Sequence, residues 1–134
     1  MKEIYGDDLA IVFKHFPLSF HKQAMPAAKA SLAASDQGKF WEYHDKIFEN
    51  QKGLKKATDE TFVGFAEELG LDVEKFKASF KDPKWDAEVR KDMGEARVAG
   101  VRGTPSLFIN GRKYEGNMSP LGFKSVIDKE ILGK

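Results

Sequence analysis

The stretch from Gly100 to Gly111 constrains the fold of this chain more than any other, and it reads Gly-Val-Arg-Gly-Thr-Pro-Ser-Leu-Phe-Ile-Asn-Gly. Its glycines and proline end the helical pattern that precedes it, and Ser106–Ile109 predicts a short buried strand. Asn110-Gly111 is typical of a type I′ turn, because both central residues of that turn need a positive φ. With a return strand predicted over Arg112–Glu115, the stretch predicts a loop that leads into a β-hairpin.

Helical patterns fill residues 23–99 and return after the hairpin. Apolar residues recur there every three or four positions, and Ser, Thr, Asp and Pro stand where helices begin. The predicted helices are Ala24–Ser35, Gly38–Asn50, Thr58–Leu69, Asp72–Phe80, Asp82–Ala99 and Pro120–Leu132, the last of them capped by Ser119. We expect close packing around Gly94, since glycine inside a helix costs about 1 kcal/mol against alanine.

Apolar positions then predict which residues enter the core. Leu9–Phe13 is apolar, short and bounded by charged residues, which predicts a buried strand. The face expected to be buried on the helix 38–50 consists of Phe40, Trp41, His44, Ile47 and Phe48. On the helix 82–99 it consists of Trp85, Val89, Met93 and Ala96.

Length and composition exclude several classes of protein. A chain of 134 residues predicts one domain over residues 1–134, and its 22 basic and 21 acidic residues do not favour a nucleic acid as partner. No apolar run approaches the roughly 18 residues that cross a bilayer, so no membrane insertion is predicted. Lys-Glu-Ile-Tyr after Met1 does not predict a signal peptide. The chain has no cysteine and therefore no thiol chemistry of its own.

The three histidines are the candidates for a metal site. The spacing of His15, His21 and His44 matches no zinc pattern, and no cysteine completes one, so we predict no metal and no cofactor. His44 lies on an apolar helix face and is expected to have a partner at the edge of the core. No Ser-His-Asp set or carboxylate pair has a recognisable signature, and no catalytic residue is assigned.

Two segments resemble disulfide oxidoreductases of the DsbA type, which have the thioredoxin fold. They are Val-x-Gly-Thr-Pro-Ser-x-Phe-Ile-Asn-Gly from Val101 and Val-Phe-Lys-His-Phe-Pro-Leu from Val12. The resemblance runs from Tyr5 to Leu132. It implies an α/β, thioredoxin-like fold of the DsbA type, with residues 1–22 and 100–134 as the thioredoxin-like part and 23–99 as an all-helical insertion.

The resemblance also implies a substrate-binding site. Val101, Gly103, Thr104 and Pro105 match the loop that faces the substrate, where the bond before the proline is cis and the backbone of Thr104 pairs with an extended protein or peptide substrate. The family's strand and helix with Cys-x-x-Cys have no counterpart, so the fold is expected to be incomplete.

Two functional alternatives follow from the resemblance. The chain is either a truncated protein disulfide oxidoreductase that is redox-inactive as it stands, or a cysteine-free module that binds peptides or proteins. Family members usually work outside the cytoplasm, but the sequence leaves the compartment open.

The strand that is expected to be missing from the sheet predicts that the chain has a protein partner. In the thioredoxin arrangement a strand lies between the segments matching Leu9–Phe13 and Ser106–Asn110, and without it both would have an unpaired edge. Each unpaired buried backbone group costs roughly 1–3 kcal/mol. The two segments therefore either pair with each other or pair with a second copy of the chain. We expect the second, a homodimer.

Overall fold

The computed structural model describes residues 5–17, 22–103, 106–114 and 120–132. The internal contacts divide the chain into two compact units. One, the helical unit, spans Lys14–Gly100, and the other, the hairpin unit, combines residues 1–13 with residues 101–134.

The helical unit contains five α-helices. They are α1 (Ala24–Ser35), α2 (Phe40–Glu49), α3 (Asp59–Glu68), α4 (Val73–Phe80) and α5 (Lys84–Val98), with a 3-10 helix at Gln51–Lys56. The predicted start of α4 at the N-cap Asp72 is confirmed, whereas α5 begins at Lys84 with Pro83, and not the predicted Asp82, as its N-cap. The Asp72 carboxylate accepts the backbone N–H of Lys75 at 3.2 Å, and that of Asp82 accepts the N–H of Lys84 at 2.9 Å.

Helix α1 lies at the centre of this unit and contacts α2, α3, α4 and α5. Its buried positions are mostly alanines, whose short side chains let four other helices approach closely. Around them pack the aromatic rings of the core, with Phe76 stacked between Tyr43 and Phe80 at centroid distances of 5.6 and 5.8 Å. The core buries Ala27, Ala30, Ala33, Ala34, Tyr43, Ala57, Phe62, Phe65, Ala66, Leu71, Phe76 and Phe80.

The predicted buried face of α2 is confirmed at Ile47, which packs against the core, but it is wrong at Trp41 and Phe48. Tyr43 is its fully buried residue, whereas Trp41 and Phe48 are 43% and 55% exposed. Tyr43 can be buried because its hydroxyl donates a hydrogen bond to the carbonyl oxygen of Phe62 at 2.8 Å. Ile47, one turn further along, packs partly buried against the same core.

The hairpin unit contains a 3-10 helix at Gly6–Asp8, strands β1 (Leu107–Ile109) and β2 (Arg112–Tyr114), and helix α6 (Pro120–Leu132). The strands are antiparallel, with Leu107 opposite Tyr114 and Ile109 opposite Arg112. Asn110 and Gly111 have φ values of 48° and 80°, which confirms the predicted turn. The predicted cap Ser119 and strand end Glu115 lie outside the described residues.

The predicted strand Leu9–Phe13 is wrong. The sheet formed by the described residues consists of β1 and β2 alone, so Leu9–Phe13 also does not pair directly with β1. Ile11 and Val12 are 48% and 73% exposed. An apolar, β-branched run becomes a strand only when a neighbouring strand supplies hydrogen bonds and a face to pack on, and its sequence cannot supply that neighbour.

Two Gly→Ala substitutions are expected to change stability in opposite directions. Gly111→Ala should lower the free energy of unfolding by about 1–2 kcal/mol, because alanine at a positive φ is strained. Gly94→Ala should raise it by up to about 1 kcal/mol, because alanine is the better helix former. The expected close packing at Gly94 is wrong, since a Cβ there has no heavy atom from the described part of the chain, apart from its own helix backbone and chain neighbours, within 4 Å.

Urea denaturation, followed by NMR signals from β1 for Gly111→Ala and from α5 for Gly94→Ala, measures both changes. A gain for Gly111→Ala would contradict the turn geometry, and a loss for Gly94→Ala would contradict the open space beside α5.

Candidate functional site

The loop predicted to face a substrate lies between the end of α5 and the start of β1. Gly100 ends the helix with a φ of +86°, and its backbone N–H donates to the carbonyl oxygen of Arg97 at 3.1 Å. In the loop that follows, Val101 and Gly103 are half-buried and Arg102 is exposed. Thr104 and Pro105 lie outside the described residues, so the cis bond stays a prediction.

Ser106 forms a hydrogen bond with Gly103, on the other side of Thr104 and Pro105 in the sequence. Its hydroxyl Oγ donates a hydrogen bond to the carbonyl oxygen of Gly103 at 2.6 Å, across the Thr104-Pro105 dipeptide. Sequence reasoning missed this role, although a serine three residues beyond a glycine in a turn is a pattern that supports such a bond.

The loop leads directly into the hairpin, and the hairpin packs against α6. The tight turn sets the register of β1 against β2, so the position of Ser106 follows from that of the hairpin. The ring of Tyr114 in β2 packs against Phe123 of α6 at a centroid distance of 5.2 Å. Ile127, one turn further along α6, is buried.

Tyr5 attaches the N-terminal segment to α6 within the same unit. Its hydroxyl donates to Asp128 Oδ1 at 2.6 Å and lies 3.3 Å from the carbonyl oxygen of Lys124. Partial burial and the bond to Asp128 raise the pKa of Tyr5 to about 12, so the phenol stays a neutral donor at ordinary pH.

The loop offers backbone groups and no nucleophile. The chain has no cysteine, and the described residues contain no cluster of three or more His, Cys, Asp or Glu side chains able to hold a metal ion. His15 and His44 belong to the helical unit, where His44 Nδ1 lies 3.1 Å from Asp45 Oδ1. His21 lies outside the described residues.

The chain combines an all-helical unit with a loop, a β-hairpin and a C-terminal helix. These are the parts of a thioredoxin-like α/β protein. The sequence model of the thioredoxin family, Thioredoxin_4, matches residues 1–129. The chain belongs to the thioredoxin family.

A solved structure agrees with this assignment at the level of the fold. The thioredoxin-like oxidoreductase from Silicibacter pomeroyi DSS-3 superposes with a TM-score of 0.68 and 24% sequence identity, over 89% of this chain and 66% of that one. The predicted α/β, thioredoxin-like fold is thereby confirmed.

Curated relatives resemble this chain over a small part of their length. A Na⁺/H⁺ antiporter NhaA of Herminiimonas arsenicoxydans is 37% identical over 96% of this chain and 20% of its own. NhaA 1 of Salinispora arenicola is 33% identical over 99% of this chain and 20% of its own. The chain thus spans about a fifth of those proteins. Among the helices of the described residues, none combines the length and apolar character needed to span a bilayer.

Proposed function

We propose that this chain is the substrate-facing part of a DsbA-type thiol–disulfide oxidoreductase and performs no thiol chemistry by itself. The observation that carries the proposal is the hydrogen bond from Ser106 to Gly103, at the start of a type I′ hairpin. Family membership over residues 1–129 supports it.

In this function the loop holds an extended peptide beside the reacting sulfurs. The peptide pairs with the backbone of Thr104 by strand addition, while Val101 and Gly103 line the approach. To oxidise a substrate, a substrate thiolate attacks the enzyme's disulfide, forming a mixed disulfide and releasing one enzyme thiolate. A second substrate thiolate then attacks the mixed disulfide, which leaves an oxidised substrate and a dithiol enzyme. Both enzyme cysteines come from outside these 134 residues, which contain none.

The purified 134-residue chain is expected to oxidise a dithiol peptide no faster than buffer. An engineered version that carries a strand and a helix with Cys-x-x-Cys ahead of Met1 is expected to gain activity, because the added thiolates would then lie opposite the loop. The control is the same segment with serine in place of both cysteines. Activity above background in the cysteine-free chain would overturn the proposal.

The role of the loop is tested in the engineered, cysteine-bearing version. Ser106→Ala removes the bond to Gly103 and should weaken peptide binding by about twofold to tenfold, the worth of one hydrogen bond. Ser125→Ala, an exposed serine on α6, serves as the matched control and should leave binding unchanged. Binding of the peptide without any gain of oxidation would favour the alternative function, a cysteine-free binding module.

We further propose that a second copy of the chain pairs with the segment Leu9–Phe13. The segment is extended at Leu9, with φ −125° and ψ 122°, and Ile11 and Val12 expose much of their apolar side chains. Exposed apolar stretches of chain can pair with another copy when they adopt an extended conformation.

A further inference from the structure

A buried carboxylate in the helical unit accepts a hydrogen bond that has no role in the proposed function. Asp92, on α5, is 5% exposed, and its Oδ2 accepts the backbone N–H of His15 at 3.0 Å. His15 is itself 5% exposed. Burying a carboxylate is costly unless it is hydrogen-bonded, so this contact is a specific feature of the fold.

The contact attaches the start of the helical unit to the end of α5. Lys14 Nζ lies 3.2 Å from Glu95 Oε2 and 3.8 Å from Asp92 Oδ1, next to the bond made by His15. Residues 14–17, which we call the strap, are the first residues of this unit, and α5 leads to its last residue, Gly100. The strap therefore links the first residues of the helical unit to its last helix.

The imidazole of His15 makes the strap sensitive to protons. The ring packs edge-on against Phe40 of α2, with centroids 5.9 Å apart. The titratable groups that act on it are Asp92 and Glu88 from α5 and His44 from α2. Burial lowers the pKa of His15 most strongly and His44 adds to this, while Asp92 and Glu88 act in the opposite direction.

We propose that the strap is a proton-sensitive latch, which protonation of His15 detaches from α5 while the core of the helical unit stays folded. The buried position beside Phe40 favours the neutral imidazole over the charged one, so protonation favours the open strap, in which the ring is hydrated. Because the pKa is lower in the closed than in the open state, the latch is at full strength above about pH 6.5 and weakens as the pH falls below that. This inference is independent of the proposed function.

Hydrogen exchange of single amides in the 134-residue chain, measured by NMR and corrected for the intrinsic exchange rate, tests the latch. Between about pH 7.5 and pH 5, opening at the His15 amide is expected to increase. The amides of Phe62 and Phe76, in the buried core, should keep their protection. Equal protection of the His15 amide at both pH values, or an equal loss at Phe62 and Phe76, would overturn the proposal.

Two histidine variants test whether protonation of His15 causes the acid-induced opening of the strap. His15→Phe keeps a ring against Phe40 and the backbone N–H on Asp92, and it should abolish the acid-induced opening. His44→Gln is the matched control and should keep the opening, with its midpoint moved to slightly higher pH. An unchanged opening in His15→Phe, or its loss in His44→Gln, contradicts the latch.

The unmodified chain provides a second measurement in case His15→Phe does not fold. The imidazole signals of His15 should titrate with the same midpoint as the exchange of the His15 amide. Different midpoints would overturn the proposal.

Discussion

Phe76→Ala is expected to lower the free energy of unfolding by about 3–5 kcal/mol. Phe76 is fully buried, and its ring stacks between Tyr43 of α2 and Phe80 of its own helix. Removing the ring forfeits the apolar transfer energy and leaves a cavity beside α1, whose alanines are too short to fill it. A small domain is stable by about 5–15 kcal/mol, so the substitution removes a substantial fraction of the free energy of unfolding.

Urea denaturation followed by far-ultraviolet circular dichroism measures this loss. Phe48→Ala is the matched control, because Phe48 is the same residue type in the same unit but 55% exposed. Its expected effect is within about 0.5 kcal/mol. Similar losses for the two substitutions would mean that Phe76 is not in the core of the unit.

Val12→Lys is expected to convert a dimer into a monomer. We propose that the exposed segment Leu9–Phe13 pairs with a second copy, so light scattering at micromolar concentration should give about twice the chain mass of 15.1 kDa. Lysine on a strand edge opposes pairing, because association would bring its ammonium group close to its symmetry mate and remove it from water. The variant should therefore show a mass of 15.1 kDa.

Val98→Lys separates this effect from a general change in charge. Val98 is 92% exposed on α5, in the other unit, and its substitution should leave the dimer intact. A monomeric mass for the unmodified chain at every concentration tested would contradict the proposed pairing. Equal loss of the dimer in both variants would place the contact elsewhere.

The elements that the sequence predicted well depend on a few neighbouring residues. The turn at Asn110-Gly111 follows from the positive φ that these two residues tolerate, and the start of α4 follows from the capping side chain of Asp72. Both signals lie within four residues of the feature they specify. The site loop was predicted from a resemblance, and the described part adds the bond from Ser106 to Gly103.

The predictions that failed concern which side of an element is buried. On α2, Ile47 lies between a first stripe with Trp41 and Phe48 and a second stripe with Tyr43, and all four residues are apolar, so periodicity alone could not choose which stripe is buried. The hydrogen bond from Tyr43 to Phe62 favours the second stripe, and its acceptor lies 19 residues away.

The sequence by itself determined the family, the helical middle, the hairpin and the absence of thiol chemistry. Those properties follow from local backbone preferences and from which residue types are present. Only the tertiary structure decided that Leu9–Phe13 is not a strand and that Asp92 is buried against the backbone of His15. The physical reason is that strand pairing and the burial of a carboxylate both depend on partners distant in the chain, and no local pattern specifies those partners.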